Sequence, residues 1–164
     1  MFRLETPRLI LREMRPDDAK ALLKVFSDPR VMESFPGTTP FEPKRMETWV
    51  GRNLTHQKEH GYGLFSVIHE ADGVLIGDCG LEHMDIGVEL GYDLRSDYWG
   101  KGFATEAATA VRDFGFTTLG LDRLVSLIRV GNDRSRRVAE KIGMSLVEQI
   151  ERNGATYWLY RVDR

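Results

Sequence analysis

The 164 residues are 41% hydrophobic and carry 23 Lys or Arg against 25 Asp or Glu, which fits one domain over residues 1–164 and leaves no room for a second of ordinary size. A chain of this length buries about 70% of its unfolded surface, so a hydrophobic core suffices, and the single Cys79 excludes an internal disulfide. A formal charge of −2 argues against general nucleic-acid binding, but residues 123–141 hold six basic and two acidic side chains and leave the remainder at −6, which allows a local anion site.

In chain order, Leu9 to Met14 is a short apolar run closed by Arg15-Pro16-Asp17-Asp18, and Ala19, Leu22, Leu23 and Phe26 then recur at helical spacing. The turn-rich stretch from Ser34 to Phe41 predicts a surface loop carrying two aromatic residues. Pro43 opens a helix whose stripe is Met46, Trp49, Val50 and Leu54, and Gly61 stops it. Strand periodicity follows in Leu64 to Ile68 and Val74 to Gly77, joined by the hairpin dipeptide Asp72-Gly73. Val88 to Leu94 is a further strand with Gly91 a candidate bulge. The clearest helix places Ala104, Ala107, Ala108, Val111, Phe114 and Gly115 on one side, with Glu106 pointing away. Leu124 to Ile128 reads as a strand, and Asn132 or Asp133 caps a helix with Val138, Ala139 and Ile142 inward. Two last strands, Ser145 to Glu151 and Ala155 to Val162, meet at Asn153-Gly154. The order predicts an α/β or α+β sheet covered by helices.

The strongest chemical signal lies between Leu94 and Thr105. A strand ends, a turn holds Gly100 and Gly102, and a helix opens at Phe103-Ala104-Thr105. Free N–H groups and the positive end of the helix dipole make such a start an anion site suited to phosphate. A Rossmann loop would need Gly at Thr105, and a Walker loop would need Ser or Thr at Gly102. Gly-x-Gly alone also serves structural turns, so on spacing the two readings stay open. Asn132-Asp133-Arg134-Ser135-Arg136-Arg137 is a second helix start with three guanidiniums, readable as a phosphate site or as a cap with a solvated basic face.

Taken together, Glu89-Leu90-Gly91-Tyr92-Asp93-Leu94, Trp99 to Ala107, Asn132 to Ser135 and Glu140 to Met144 resemble the GNAT superfamily of acyl-CoA N-acyltransferases. The opening Glu5 to Arg12 is similar to its Rim-like branch of ribosomal-protein N-terminal acetyltransferases. The resemblance implies a mixed, mostly antiparallel seven-stranded sheet, splayed between its fourth and fifth strands and flanked by four helices, with the acyl thioester in the splay. It implies acetyl-CoA as co-substrate, bound by Gly100, Lys101, Gly102, Phe103, Ala104 and Thr105 at the pyrophosphate, by main chain around Asp93 and Leu94 along the pantetheine arm, and by Asn132 and Arg137. Trp99 stands where the family usually has Arg or Gln, which leaves that work to backbone donors.

The implied reaction is direct acetyl transfer to an amine. An ammonium must first lose a proton, and the leaving thiolate gains from a donor. The family's usual tyrosine acid falls on Ala139, so Ser135 is the substitute, and Glu89 is the candidate base, with a substrate anchor or a solvent-facing strand residue as its other readings. Tyr92 has an equal claim to a structural place; Phe35, Trp49, Tyr157 and Trp158 are candidates for the acceptor pocket. The Rim-like likeness points to a peptide or protein N-terminal amine, with polyamines, aminoglycosides, amino acids or other small amines as the alternative. A non-catalytic acyl-CoA-binding module is the rival from another class. His56-Gln57-Lys58-Glu59-His60 matches an inverted zinc-peptidase string but sits in a final helical turn with no third ligand downstream, so no metal is expected. Cys79 reads as a small core residue. A lone cysteine, an opening without a signal-peptide core and no apolar run of ~20 residues predict a cytoplasmic protein away from membranes. A homodimer is compatible with the reading.

Overall fold

The computed structural model describes residues 2–35 and 39–164, and its eight strands form one open sheet in the order β1-β2-β3-β4-β5-β6-β8-β7. The strands are β1 Arg3–Glu5, β2 Leu9–Glu13, β3 Leu64–His69, β4 Val74–Met84, β5 Gly87–Leu94, β6 Arg123–Arg129, β7 Ser145–Arg152 and β8 Ala155–Asp163. The helices are α1 Ala19–Phe26, α2 Pro29–Met32, α3 Pro43–His60, α4 Phe103–Thr117 and α5 Asp133–Lys141. Every neighbouring pair is antiparallel except β5 with β6, which run parallel.

The expected seven strands and four helices gain one short element of each kind. Strand β1 has only three residues and exists because it pairs with β2, too short for alternation to announce it. Helix α2 is one turn, set by Pro29 at its start and by the Asp28 carboxylate accepting the Arg30 N–H. The hairpin at Asn153-Gly154 forms with both residues in the left-handed region, φ 51° and 77°, the backbone a tight two-residue turn demands. Gly91 is no bulge, since the β4–β5 register runs unbroken from Gly77–Leu94 to Met84–Gly87.

The largest departure is β4, which continues seven residues past Gly77 to Met84. Asp78, Gly80 and Glu82 interrupt its apolar pattern, and Asp and Gly are poor strand formers. Gly80 is required by space: a Cβ there would stand 2.2 Å from the Gly63 carbonyl oxygen.

Helices pack on both faces of the sheet. On one face α1 contributes Leu22, Val25 and Phe26 and α3 contributes Met46 and Val50 to a core shared with Met14 and Leu64. On the other, Ala107, Ala108, Val111 and Phe114 of α4 pack with Ala139 of α5 on Leu81, Leu90 and Leu124. Each fully buried Leu or Phe contributes roughly 1.5–3 kcal/mol, so both layers clamp the sheet firmly. What stays open lies between them, where β5 and β6 touch at a single pair, Glu89 with Val125, and then diverge.

Candidate active site

The cleft beside the start of α4 has a volume of about 390 Å³. Gly102 caps the helix at φ 82° without any side-chain cap, and its carbonyl accepts the Glu106 N–H, so the N–H groups of Phe103, Ala104 and Thr105 are the helix's orphan donors. Those residues line the cleft with Gly100 and Gly102.

The loop is held from outside by Arg8. Its Nη1 donates to the Lys101 carbonyl at 2.9 Å, its guanidinium lies 4.3 Å over the Phe103 ring, and its Nε donates to Glu106 at 2.7 Å. Glu106 also accepts the Thr6 hydroxyl at 2.6 Å. Set away from the helix's apolar side, it clamps the helix start to the β1–β2 turn. Lys101 itself leaves the cleft, its ammonium lying 5.5 Å from the Tyr98 ring. Trp99 donates its indole N–H to the Leu94 carbonyl at 2.9 Å and carries the Arg134 guanidinium 3.4 Å over its ring. A tryptophan at this position thus pins the end of β5 and positions a cation, work that an arginine side chain at 99 would not do.

Helix α5 supplies the opposite wall. Asn132 is its N-cap, accepting the Ser135 N–H at 3.3 Å while its amide donates to Ser34 Oγ at 2.7 Å. Arg134, Arg137 and Lys141 line the same cleft, so cations face the orphan N–H groups across it. The ladder fixes which strand atoms are free. The Arg95 N–H donates to the Ile76 carbonyl, and antiparallel alternation then turns the main chain of Asp93 and Gly91 toward β4 and that of Tyr92 and Leu94 into the splay.

Through the splay lies a second chamber of about 270 Å³, lined by Phe35, Trp49 and Tyr157, by Glu82, Glu89 and Asp93, and by Arg129 and Arg152, whose guanidiniums are bonded to the Glu33 and Phe35 carbonyls and to Asp85. Trp158 is not part of it; it packs with the α4–α5 core. Glu89 reaches across the gap, accepting the Leu127 N–H at 3.1 Å. Burial pushes its carboxyl up to about 7, against the opposing effect of that N–H and with Glu82 and Asp93 adding repulsion. Between the cavities stand Tyr92 and Ser135. The Ser135 hydroxyl donates to Tyr92 Oη at 3.1 Å, and the Tyr92 hydroxyl donates to the Ser135 carbonyl at 2.8 Å. Burial drives the Tyr92 phenol far up, which keeps its proton on. Forty-three positions separate the two residues, and no sequence spacing signals this pair.

A strand-to-helix anion site, a splay exposing strand main chain and an adjoining acidic chamber are the parts an acyl-CoA-dependent transferase needs. Residues 8–145 match the family model described as acetyltransferase (GNAT) domain. The chain belongs to the GNAT acetyltransferases. It is 34% identical over 146 residues to an uncharacterized N-acetyltransferase, p20, of Bacillus licheniformis, covering 87% of this chain and 82% of the relative. The crystal structure of an acetyltransferase from Agrobacterium tumefaciens superposes with a TM-score of 0.87 at 30% identity, over all of this chain and 95% of the other. A ribosomal L7/L12 α-N-protein acetyltransferase, RimL, in complex with coenzyme A shares the fold at a TM-score of 0.84 and 18% identity, covering 99% of this chain and 98% of the other.

As a GNAT enzyme the chain uses acetyl-CoA as co-substrate. The residues present fit that group: orphan N–H donors at 103–105 and three cations for phosphates, and main chain of Tyr92 turned into the splay for a pantetheine amide. The histidine string belongs to another structure. The His56 and His60 rings lie 4.5 Å apart and tilted, His60 stacks on His83 at 4.7 Å, and His56 Nε2 accepts the His83 main-chain N–H at 2.8 Å. Cys79 is fully buried in the core.

Proposed function

We propose that the acceptor is a small amine that enters the chamber as an ammonium, and that Glu89 and Ser135 serve the transfer to it. The chamber's make-up carries this reading: Glu82, Glu89 and Asp93 attract a cation, and the rings of Phe35, Trp49 and Tyr157 give it π faces. An extended peptide would need strand main chain to pair with, and the Leu127 N–H on the β6 side of the splay is already taken by Glu89. Glu89, fixed by that bond, holds the acceptor's charge beside the splay. Ser135, at the junction, carries a neutral hydroxyl that turns its proton from Tyr92 to the leaving sulfur.

The test is a scan of amines against peptides bearing free N-termini, with acetyl-CoA and the complete chain. Turnover of diamines or other compact amines with none of the peptides is the expected result. Acetylation of peptide N-termini alone overturns the small-amine reading in favour of the acceptor implied by the Rim-like resemblance.

A further inference from the structure

The two cavities share Ser34, Tyr92, Asp93, Asn132 and Ser135, and thioester and amine must meet where both are reached. Of these five, only Asp93 carries a group able to take up a proton near neutral pH. Glu89 lines the acceptor chamber alone and is tied to Leu127.

Asp93 has a partner. The register sets it directly opposite Asp78, and the same row continues to Ser66 on β3 and Arg12 on β2. Asp78 is 0% exposed, and among the described residues neither of its oxygens meets an N–H or hydroxyl donor. The Ser66 hydroxyl beside it donates to Asp18 instead, at 2.7 Å. What faces Asp78 across the ladder is Asp93, whose carboxyl shares a hydrogen bond with it. Two carboxyls set opposite one another in a buried row cannot both be charged, and one shared proton gives one of the orphaned oxygens a partner.

The surroundings offer no relief. Arg12 is bonded to Asp18, Arg152 to Asp85, and Arg129 to the carbonyls of Glu33 and Phe35. Glu82 and Glu89 on the same hairpin face add negative charge, the neighbouring Cys79 is a buried thiol, and α1 presents buried Leu22 and Phe26 on this face of the sheet. Gly91, between Glu89 and Asp93 on that face, has nothing within 4 Å of where a Cβ would stand, so the sheet leaves space there about 7 Å along the strand from each carboxyl.

Resting on the acetyl-transfer reading above, we propose that Asp93 is the catalytic carboxylate that takes the acceptor ammonium's proton, with Asp78 a positioning residue that shares a proton with it. One proton passes from nitrogen to the Asp93 carboxylate, and the freed lone pair forms the N–C bond at the thioester carbon. The C–S bond breaks with its electron pair on sulfur. Nitrogen's second proton replaces the one Ser135 gives to sulfur, and the pair returns its extra proton to water. Burial, with repulsion from Glu82, holds Asp93 up at about 7 against the lowering effect of its hydrogen bond with Asp78, and a base at that value serves a neutral-pH reaction.

Asp93→Asn should lower kcat by about 10²-fold or more while acetyl-CoA still raises the thermal midpoint as in the parent. With a fluorinated acceptor analogue whose amine is mostly neutral at the assay pH, the same variant should lose less than tenfold, whereas a merely structural defect would cost both acceptors equally. Asp78→Ala removes the shared proton and with it the hydrogen bond that holds the Asp93 pKa down. The acid limb of kcat/KM should therefore move up by about half a pH unit or more, while Asp78→Asn, which keeps a neutral donor opposite Asp93, should leave it in place. A kcat within threefold of the parent for Asp93→Asn, equal losses on both acceptors, or an unmoved limb for Asp78→Ala overturns the proposal. Should Asp93→Asn fail to bind acetyl-CoA, the Asp78→Ala limb decides. A parent that binds acetyl-CoA yet acetylates no amine defeats the transfer reading itself, an outcome separate from parental turnover that is indifferent to Asp93.

Discussion

The donor cleft and the acceptor chamber meet at Tyr92 and Ser135 but are built from different materials. The cleft is made of main chain: orphan N–H groups after two glycines, a strand edge turned into the splay, and cations on the first turns of α5. Such a site recognises phosphates and amides, groups common to every acyl-CoA, and a contiguous stretch of sequence can encode it. The chamber is lined from β4, β5, β6, β8, α3 and the segment after α2, brought together by register and packing. On the proposed roles, its acceptor can change without disturbing the cofactor site.

That contrast can be broken at either end. Gly102→Val puts a β-branched residue at φ 82° with its Cβ 3.4 Å from Arg8 Nη2. Acetyl-CoA affinity should fall about 100-fold, roughly 2.7 kcal/mol, seen as loss of the ligand-induced rise in melting midpoint. An unchanged rise would show that main chain does not hold the phosphates. Ser135→Ala should lower kcat at least tenfold and leave acetyl-CoA affinity within a factor of two, measured by steady-state kinetics and calorimetry. Equal loss of both would place Ser135 in cofactor binding instead.

Glu89→Gln should act on the acceptor side alone, raising the acceptor KM several-fold while preserving most of kcat. The smallest effect is on stability. Glu89 holds its proton up to about 7 in the folded state against an ordinary value of 4.5. A raised carboxyl pKa means stability is full below about 4.5 and is lost as pH climbs to about 7. The ligand-free midpoint should therefore drop by a few degrees between pH 5 and 8, the range over which activity rises, and Glu89→Gln should flatten that drop. A midpoint that climbs over this interval would mean that Glu89 is ionised and paired in the folded protein.

Legibility in the sequence followed the same division. The anion site, the caps at Asn132 and Gly61 and the hairpin at Asn153-Gly154 were readable because each depends on residues within a few positions of one another. Glu89 was readable as a carboxylate on a strand beside the splay, but its bond to Leu127 was not. Asp78 and Glu82 stayed hidden because the strand carrying them looks broken at Asp78-Cys79-Gly80, where the buried hairpin, not propensity, keeps the chain extended. Arg8 and Glu106, 98 positions apart, gave no local signal of the clamp they form around the helix start.

The sequence by itself determined the order of the longer elements, the membership in the GNAT acetyltransferases and the glycine-rich start of α4, since periodicity, turn chemistry and helix starts are local properties. Only the tertiary structure decided which groups line the proposed acceptor chamber. Strand register set Asp78 against Asp93 and Glu82 against Glu89, and helix packing brought Ser135 to Tyr92. A carboxyl's charge state depends on how much water and how many like charges surround it, and those are fixed by neighbours distant in the chain.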